Sequence, residues 1–154
     1  METIRILDYQ PQFAEDFKRL NIAWISKYFV VEPHDLEQLD HPYEHILHDG
    51  GQILFALQGD TVVGTVALVK VDNSTMELAK MAVDENVRGL GIGKKLCLAA
   101  IEKARESGTK HLFLESNRKL APALALYTTV GFQEVAMQDT PYSRADIRMA
   151  MDFE

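Results

Sequence analysis

The sequence of 154 residues has little of several features that define whole classes of proteins. It contains one cysteine, Cys97, so an internal disulfide is impossible, and we expect a reducing, cytoplasmic location. No stretch approaches the roughly 20 uninterrupted apolar residues of a membrane span, and the first ten residues lack the pattern of a secretory signal. Basic residues are also scarce. The 16 Lys and Arg against 23 Asp and Glu give a net charge of −7, which argues against a general nucleic-acid binder.

The negative charge is unevenly distributed along the chain. Residues 1–77 hold 13 acids and 5 bases, whereas residues 78–154 hold 10 acids and 11 bases. This asymmetry suggests that the two halves face different partners, the alternative being that the acidic excess is only a solvated face. No repeat, low-complexity tract or Pro/Gly/Ser-rich linker divides the sequence, so we expect residues 1–154 to form one domain.

Hydrophobic periodicity predicts a mixture of strands and helices. Helical spacing predicts helices over about 11–29, 41–50, 92–107 and 120–130, with Pro33 breaking the first of them. Strand patterns lie at about 4–7, 52–58, 61–71, 75–83, 111–115, 132–137 and 147–153, and Gly59-Asp60 predicts a hairpin turn. Because strands are contiguous in the middle and alternate with helices later, we expect a mixed sheet in an α/β or α+β layer structure.

The most informative segment is glycine-rich and lies between the predicted strand 75–83 and the next helix. It runs Arg88-Gly-Leu-Gly-Ile-Gly-Lys-Lys95, and a helix start with nearby glycines can bind an anion through unpaired amides and the helix dipole. A dinucleotide fingerprint begun at Gly89 would need glycine at 94, where Lys94 stands. A P-loop would need glycine at 88 and Ser or Thr at 95, so both common nucleotide motifs are excluded.

The spacing Arg88-x-x-Gly91-x-Gly93 resembles the coenzyme A pyrophosphate signature, (Q/R)-x-x-G-x-(G/A), of the GNAT superfamily of N-acetyltransferases. Glu77-Leu-Ala-Lys-Met-Ala-Val83 resembles the fourth strand of that family, and residues 123–132 resemble its A-x-x-L-Y-x-x-x-G-F element. Further segments near both ends of the chain are similar to a bacterial subset, some members of which carry a fused MarR-type regulator.

This resemblance implies a mixed, mostly antiparallel sheet of about seven strands flanked by about four helices. It also implies an enzyme that moves the acetyl group of acetyl-CoA to a primary amine of a small molecule or peptide by direct attack in a ternary complex. No metal, nucleic acid or membrane is expected to take part, and a homodimer is possible. The alternative is a catalytically silent CoA-binding sensor or interaction module.

The resemblance assigns two catalytic roles. Glu77 matches the position where several members carry a general base, although a carboxylate with an ordinary pKa near 4.3 is a weak base for an ammonium with a pKa near 10.4. Burial must raise the pKa of Glu77, or a water relay must carry the proton. Tyr127 is expected to give a proton to the departing CoA thiolate. Without the family context, Glu77 would be a surface acid and Tyr127 a core residue.

Cofactor contacts are implied along the strand, the glycine-rich turn and the later helix. They comprise Met81, Ala82, Val83, Arg88, Gly89, Leu90, Gly91, Ile92, Gly93, Lys94, Asn117 and Tyr127. Many members have an asparagine seven residues before the tyrosine, where this sequence has Leu120. Asn117 either replaces that contact with the pantetheine arm or serves only to turn the loop.

The acceptor pocket and other candidate sites depend on weaker patterns. Trp24, Tyr28, Glu32 and Tyr142 are expected to line an acceptor pocket, the alternatives being core packing for the aromatic residues and solvent exposure for Glu32. The histidines at positions 41, 45 and 48 share a helical spacing but lack a recognised metal motif, and Cys97 is expected to be a small core residue.

Overall fold

The computed structural model describes residues 3–87 and 89–154 of the chain. Within these residues the chain forms seven strands and four α-helices. They are β1 Ile4–Asp8, α1 Ala14–Tyr28, α2 Pro33–Asp40, β2 Gln52–Gln58, β3 Thr61–Lys70, β4 Thr75–Val83, α3 Ile92–Glu106, β5 His111–Ser116, α4 Ala121–Thr129, β6 Gln133–Val135 and β7 Ile147–Asp152. A 3₁₀ turn, Pro11–Phe13, leads into α1, and a π-type turn, Tyr43–Leu47, precedes β2.

The strands form one sheet in the order β1-β2-β3-β4-β5-β7-β6. Every neighbouring pair is antiparallel except β4 and β5, which are parallel. This topology confirms the expected mixed, mostly antiparallel sheet of seven strands with four flanking α-helices. The hairpin is also confirmed, because Gly59 has a φ of 60° between β2 and β3.

Apolar side chains fill both faces of the sheet. One buried cluster lies beneath α3 and includes Leu96, Leu112 and Leu114, while the other lies beneath α1 and includes Phe17 and Phe55. Among the described residues no helix is both long enough and apolar enough to cross a membrane.

The region around Pro33 differs from the prediction. Helix α1 already ends at Tyr28, and Pro33 begins α2, which extends to Asp40, instead of breaking the first helix. Proline is tolerated at the first position of a helix, and the Glu32 amide donates a hydrogen bond to Oδ2 of Asp35 at 2.9 Å, which stabilises this start. The helix predicted over 41–50 is reduced to the turn Tyr43–Leu47. A short helix with a strongly charged sequence has a weak periodic signal, which explains the error.

The middle of the sheet opens between β4 and β5. The two strands pair over only three residues of each, from Thr75 with His111 to Glu77 with Phe113, and no register continues beyond them. A bulge in β4 lies just after this point, because the register with β3 gains one residue between Ala79 and Ala82. Lys80, within the bulge, has a φ of 54°. The opening and the bulge position the site described next.

Candidate active site

The turn between β4 and α3 has an open, left-handed backbone. Gly89 and Gly91 have φ values of 76° and 68°, and a Cβ added at either would meet no atom within 4 Å, so conformation rather than space favours glycine. Gly91 is the N-cap of α3 and accepts a hydrogen bond from the Lys95 amide at 3.0 Å. The amides of residues 92–94 therefore lack intrahelical partners, and the turn can bind an anion.

A groove of about 630 Å³ runs along this turn. Trp24 and Tyr28 of α1 lie on it, facing the glycine turn. The predicted cofactor residues that line it are Val83, Gly89, Leu90, Gly91, Ile92, Gly93 and Lys94. Arg88, the remaining residue of the predicted phosphate signature, lies outside the described residues.

A second cavity, of about 210 Å³, occupies the opening between β4 and β5. Trp24 and Val83 line both the groove and this cavity, so the two spaces adjoin. Glu77 lines the cavity from β4, and Tyr127 lines it from α4. A molecule bound along the groove can therefore extend one end into the opening, where these two side chains lie.

Two predicted cofactor residues turn their peptide groups into the opening. The Asp84 amide donates to the Val63 carbonyl on β3 at 2.8 Å. Since successive residues of a strand turn their peptide groups to opposite sides, Val83 and Met81 face away from β3, toward the gap before β5. Met81, Ala82 and Val83 all line the cavity. The edge of β4 thus offers strand-like hydrogen bonds to an extended ligand.

Glu77 lies on the α1 face of the sheet. Met76 and Leu78 belong to the cluster beneath α3, so the residue between them points to the opposite face. Burial, followed by repulsion from the nearby Glu115, raises the pKa of Glu77 from 4.5 to about 7. Its carboxylate is therefore a stronger base than an exposed glutamate.

Tyr127 approaches the opening from the other face. It belongs to the cluster beneath α3, is 8% exposed, and packs edge-on against Phe132 with ring centroids 6.1 Å apart. Burial raises the pKa of its hydroxyl well above 10. The hydroxyl therefore keeps its proton and can act as a donor within the cavity. Glu77 and Tyr127 reach one cavity from opposite sides of the sheet.

Asn117 is buried in the cavity wall, but its amide has protein partners. Its Nδ2 donates to the Arg144 carbonyl at 2.8 Å, and its Oδ1 accepts from the Lys119 amide at 2.8 Å. The side chain joins the end of β5 to the loop before β7, which is the loop-turning role. Leu120 lines the cavity beside it with an apolar surface.

A buried ionic network, absent from the sequence prediction, borders the cavity through Lys80 and Arg144. Asp35 of α2 is fully buried and accepts from Lys80 Nζ at 2.7 Å and from Arg144 Nη2 at 2.7 Å. Burial alone would raise the pKa of Asp35, but the hydrogen bond from Arg144 and the charge of Lys80 hold it well below its ordinary value. In the sequence, the only signal for this network was Asp35 itself, because an acidic residue two positions after Pro33 is typical of a capped helix start.

The four predicted acceptor residues have different positions. Trp24 lines the cavity, and so does Tyr142, whose hydroxyl accepts from Lys80 Nζ at 2.8 Å. Tyr28 is 49% exposed and lies on the groove beside the glycine turn rather than on the cavity. Glu32 instead holds the loop before β7, accepting hydrogen bonds from Ser143 and from Arg144.

The remaining candidates from the sequence are Cys97 and the histidines. Cys97 is buried, with its Sγ 3.4 Å from the Met81 sulfur, and burial raises the pKa of its thiol to about 12, so it is a poor nucleophile. The rings of His41 and His45 are 6.3 Å apart. Across residues 3–87 and 89–154, no group of three or more His, Cys, Asp or Glu side chains is placed to hold a metal ion.

Comparisons with known proteins point to one family. The model described as the acetyltransferase (GNAT) family matches residues 17–132. Among curated proteins, the uncharacterized N-acetyltransferase YjgM of Escherichia coli is 33% identical over 126 residues, covering 79% of this chain and 74% of that protein. The uncharacterized N-acetyltransferase YvbK of Bacillus subtilis is 32% identical over 105 residues, covering 66% of this chain and 68% of that protein.

Solved structures share the fold over almost the whole chain. A GNAT-family acetyltransferase of Staphylococcus aureus Mu50 superposes with a TM-score of 0.88 at 25% identity, covering 99% of this chain and 100% of that chain. The PaiA N-acetyltransferase of Thermoplasma acidophilum, solved in complex with coenzyme A, has a TM-score of 0.76 at 18% identity. The match covers 98% of this chain and 99% of that chain.

Proposed function

The chain belongs to the acetyltransferase (GNAT) family, and on this basis we propose that it transfers the acetyl group of acetyl-CoA to a primary amine. The supporting observation is the opening between β4 and β5, which joins the groove at the glycine turn to the cavity lined by Glu77 and Tyr127. Donor and acceptor can approach from opposite faces and meet there, as direct transfer in a ternary complex requires. In this proposal residues 1–154 act as one N-acetyltransferase domain.

The donor site follows from the backbone of the glycine turn and of β4. The unpaired amides of residues 92–94 and the positive end of the helix dipole suit the pyrophosphate of CoA, and Lys94 adds a cation at the groove. The peptide groups of Met81 and Val83 suit the amide-containing pantetheine arm. Acetyl-CoA, when bound, supplies an activated acetyl thioester. From the sequence alone, Arg88 is proposed to contribute a further charge to the phosphates.

Glu77 is proposed to accept the proton that the acceptor must lose. An alkylammonium has a pKa near 10.4, and only its neutral form attacks a carbonyl carbon. The pKa of Glu77, raised to about 7, lies closer to the pKa of the ammonium than does that of an ordinary carboxylate, which is 4.5. Glu77 takes the proton directly or through one water molecule.

Tyr127 is proposed to protonate the departing thiolate. Its hydroxyl lines the cavity from the face opposite to Glu77 and stays protonated at neutral pH because burial raises its pKa. Donation from this hydroxyl prevents a poorly solvated anion from accumulating in the cavity. The acid and the base thus lie on the two sides of the transferred group.

The decisive experiment measures release of free thiol from acetyl-CoA in the presence of a panel of amines. Amine-dependent release, with mass-spectrometric detection of the acetylated amine, is expected. Saturable CoA binding without release for any amine would instead indicate a catalytically silent CoA-binding module. ATP and NAD serve as controls, because the glycine turn lacks both nucleotide motifs. Each should bind more weakly than CoA, and tighter binding of either would indicate a nucleotide-dependent enzyme instead.

A further inference from the structure

Glu115, on β5, lines the cavity, and one of its buried carboxylate oxygens lacks a hydrogen bond. Its side chain is 5% exposed, and Oε2 has no hydrogen-bond partner among the described residues, whereas Oε1 accepts from the Thr140 hydroxyl at 2.7 Å. An unsatisfied buried polar atom costs roughly 1–3 kcal/mol, and more when it is charged. A ligand that donates to Oε2 would recover this free energy.

Arg148 forms an ion pair with this oxygen but donates no hydrogen bond to it. Arg148 Nη1 lies 3.9 Å from Oε2, beyond hydrogen-bond range. Its guanidinium is held over the ring of Phe113, 3.8 Å from the centroid. Arg148 therefore offsets the charge of Glu115 and leaves Oε2 without a hydrogen bond.

Glu115 and Glu77 point to the same face of the sheet. Leu112 and Leu114 belong to the cluster beneath α3, so Glu115 projects from β5 to the α1 face, as Glu77 does from β4. The last register pair joins Glu77 with Phe113, two residues before Glu115. The two carboxyl groups therefore stand on either side of the point where the strands separate, and both line the cavity.

The cations that line the same cavity already have carboxylate partners. Lys80 pairs with Asp35, and Arg144 pairs with Asp35 and, through Nη1 at 3.1 Å, with Glu32. A carboxylate on the acceptor would have to displace one of these ion pairs. Next to Glu77 and Glu115 it would also meet like charges, which are unfavourable in a partly buried space.

Aromatic side chains also line the cavity. Trp24 and Phe29 line it, with their rings in an edge-on arrangement and 6.3 Å between centroids. This surface suits an apolar or aromatic group, because such a group buries its area without leaving a polar atom unpaired. The lining of the cavity therefore combines the two carboxyl groups with an aromatic surface.

We propose that Glu115 binds the ammonium group of the acceptor through Oε2, beside Glu77. The cavity thereby selects a primary amine that has an apolar or aromatic body and no carboxylate next to the amino group. This inference rests on the proposed acetyl transfer and specifies its acceptor.

The test compares 2-phenylethylamine with L-phenylalanine, which differ by one carboxylate. We expect kcat/KM to be at least about tenfold higher for 2-phenylethylamine, since the repulsion is worth more than 1.4 kcal/mol. Calorimetry on the CoA-saturated protein should show binding of 2-phenylethylamine, with its affinity about tenfold or more lower in Glu115→Gln. The KM for acetyl-CoA should stay within about twofold, because Glu115 lies on the acceptor side.

Thr140→Val is the matched control, because it removes the hydrogen bond to Oε1 and leaves the charge of Glu115 in place. An equal loss of amine affinity in both variants, an unchanged affinity in Glu115→Gln, or equal use of the two probes would overturn the inference. Binding that depends on Glu115 without thiol release would support the ammonium site and reject acetyl transfer. Thiol release with other amines, without binding of 2-phenylethylamine, would reject the ammonium site alone.

Discussion

Lys80 and Asp35 form an ion pair inside the protein, with Nζ 2.7 Å from Oδ1 and side chains 3% and 0% exposed. The pair connects the bulge of β4 to α2. Lys80 has a φ of 54°, a conformation that costs an L-residue roughly 1–2 kcal/mol, and its hydrogen bonds offset that cost. The bulge and the wall of the cavity thus depend on one carboxylate.

Asp35→Asn should lower the free energy of unfolding by about 3–5 kcal/mol, because it leaves Lys80 and Arg144 buried with a weaker partner. Urea denaturation measures the loss. In the double variant with Lys80→Met, the loss of unfolding free energy should be smaller than the sum of the two single losses. Glu102→Gln, which breaks an exposed pair with Arg105, is the control and should change stability by less than about 1 kcal/mol. A similar small change in Asp35→Asn would contradict the stabilising role of the network.

Tyr127→Phe should reduce kcat by about 100-fold or more, with the KM for acetyl-CoA changed less than about threefold. The variant keeps the packing of the ring against Phe132 and removes only the proton donor. Thiol release measures both constants. Tyr43→Phe, at a side chain that is 57% exposed, should behave like the native protein. Retention of more than half of kcat in Tyr127→Phe would eliminate Tyr127 as the acid.

Glu77→Gln should change the pH dependence of kcat/KM for the amine. The base must be ionised to act, so the native rate should rise with pH through a midpoint near 7, the raised pKa of Glu77. Glu115, Lys80 and Arg148 contribute charge around this carboxyl, but the midpoint should disappear only in Glu77→Gln. A profile with the same midpoint in the variant would remove Glu77 as the base.

The stability of the fold should fall as the pH rises, whereas the rate should increase. The pKa of Glu77 is about 7 in the folded chain and 4.5 without burial, so the folded state holds the extra proton between these values. Its stabilising contribution is complete below about pH 4.5 and is lost as the pH rises through 7. Glu77→Gln should therefore match the native protein near pH 4.5 and exceed its stability at pH 8 by about 1–3 kcal/mol. Thermal unfolding at the two pH values measures this, and an equal difference at both would contradict it.

Gly91→Ala should weaken donor binding. Alanine resists the φ of 68°, so the variant should lose about 1 kcal/mol of stability or shift the turn, raising the KM for acetyl-CoA about tenfold. Gly108, with a φ of 85° beyond the other end of α3, is the matched control. Gly108→Ala should lose similar stability but keep the native KM. An equal rise of KM in both variants would mean that the turn has no special role.

Short-range patterns were sufficient for much of the fold. The hairpin at Gly59-Asp60 and the glycine turn before α3 are local, so residue type and spacing predict them directly. Helix α2 was missed because a short, charged helix depends on its cap at Pro33 and Asp35 more than on periodicity. The position of Tyr28 on the groove rather than on the cavity was not predicted either, for a similar reason. A helical pattern identifies an apolar side but not the neighbour that this side meets.

The sequence by itself determined the family, the order of the strands and the position of the glycine turn, since each depends on residues close together in the chain. Only the tertiary structure decided what surrounds the catalytic candidates. The partners of Asp35 lie 45 and 109 residues away, at Lys80 and Arg144, and the raised pKa of Glu77 depends on burial and on Glu115. Desolvation and Coulomb interactions depend on distance in space, so the chemistry of this cavity exists only when β4 and β5 separate and α2 packs against the bulge.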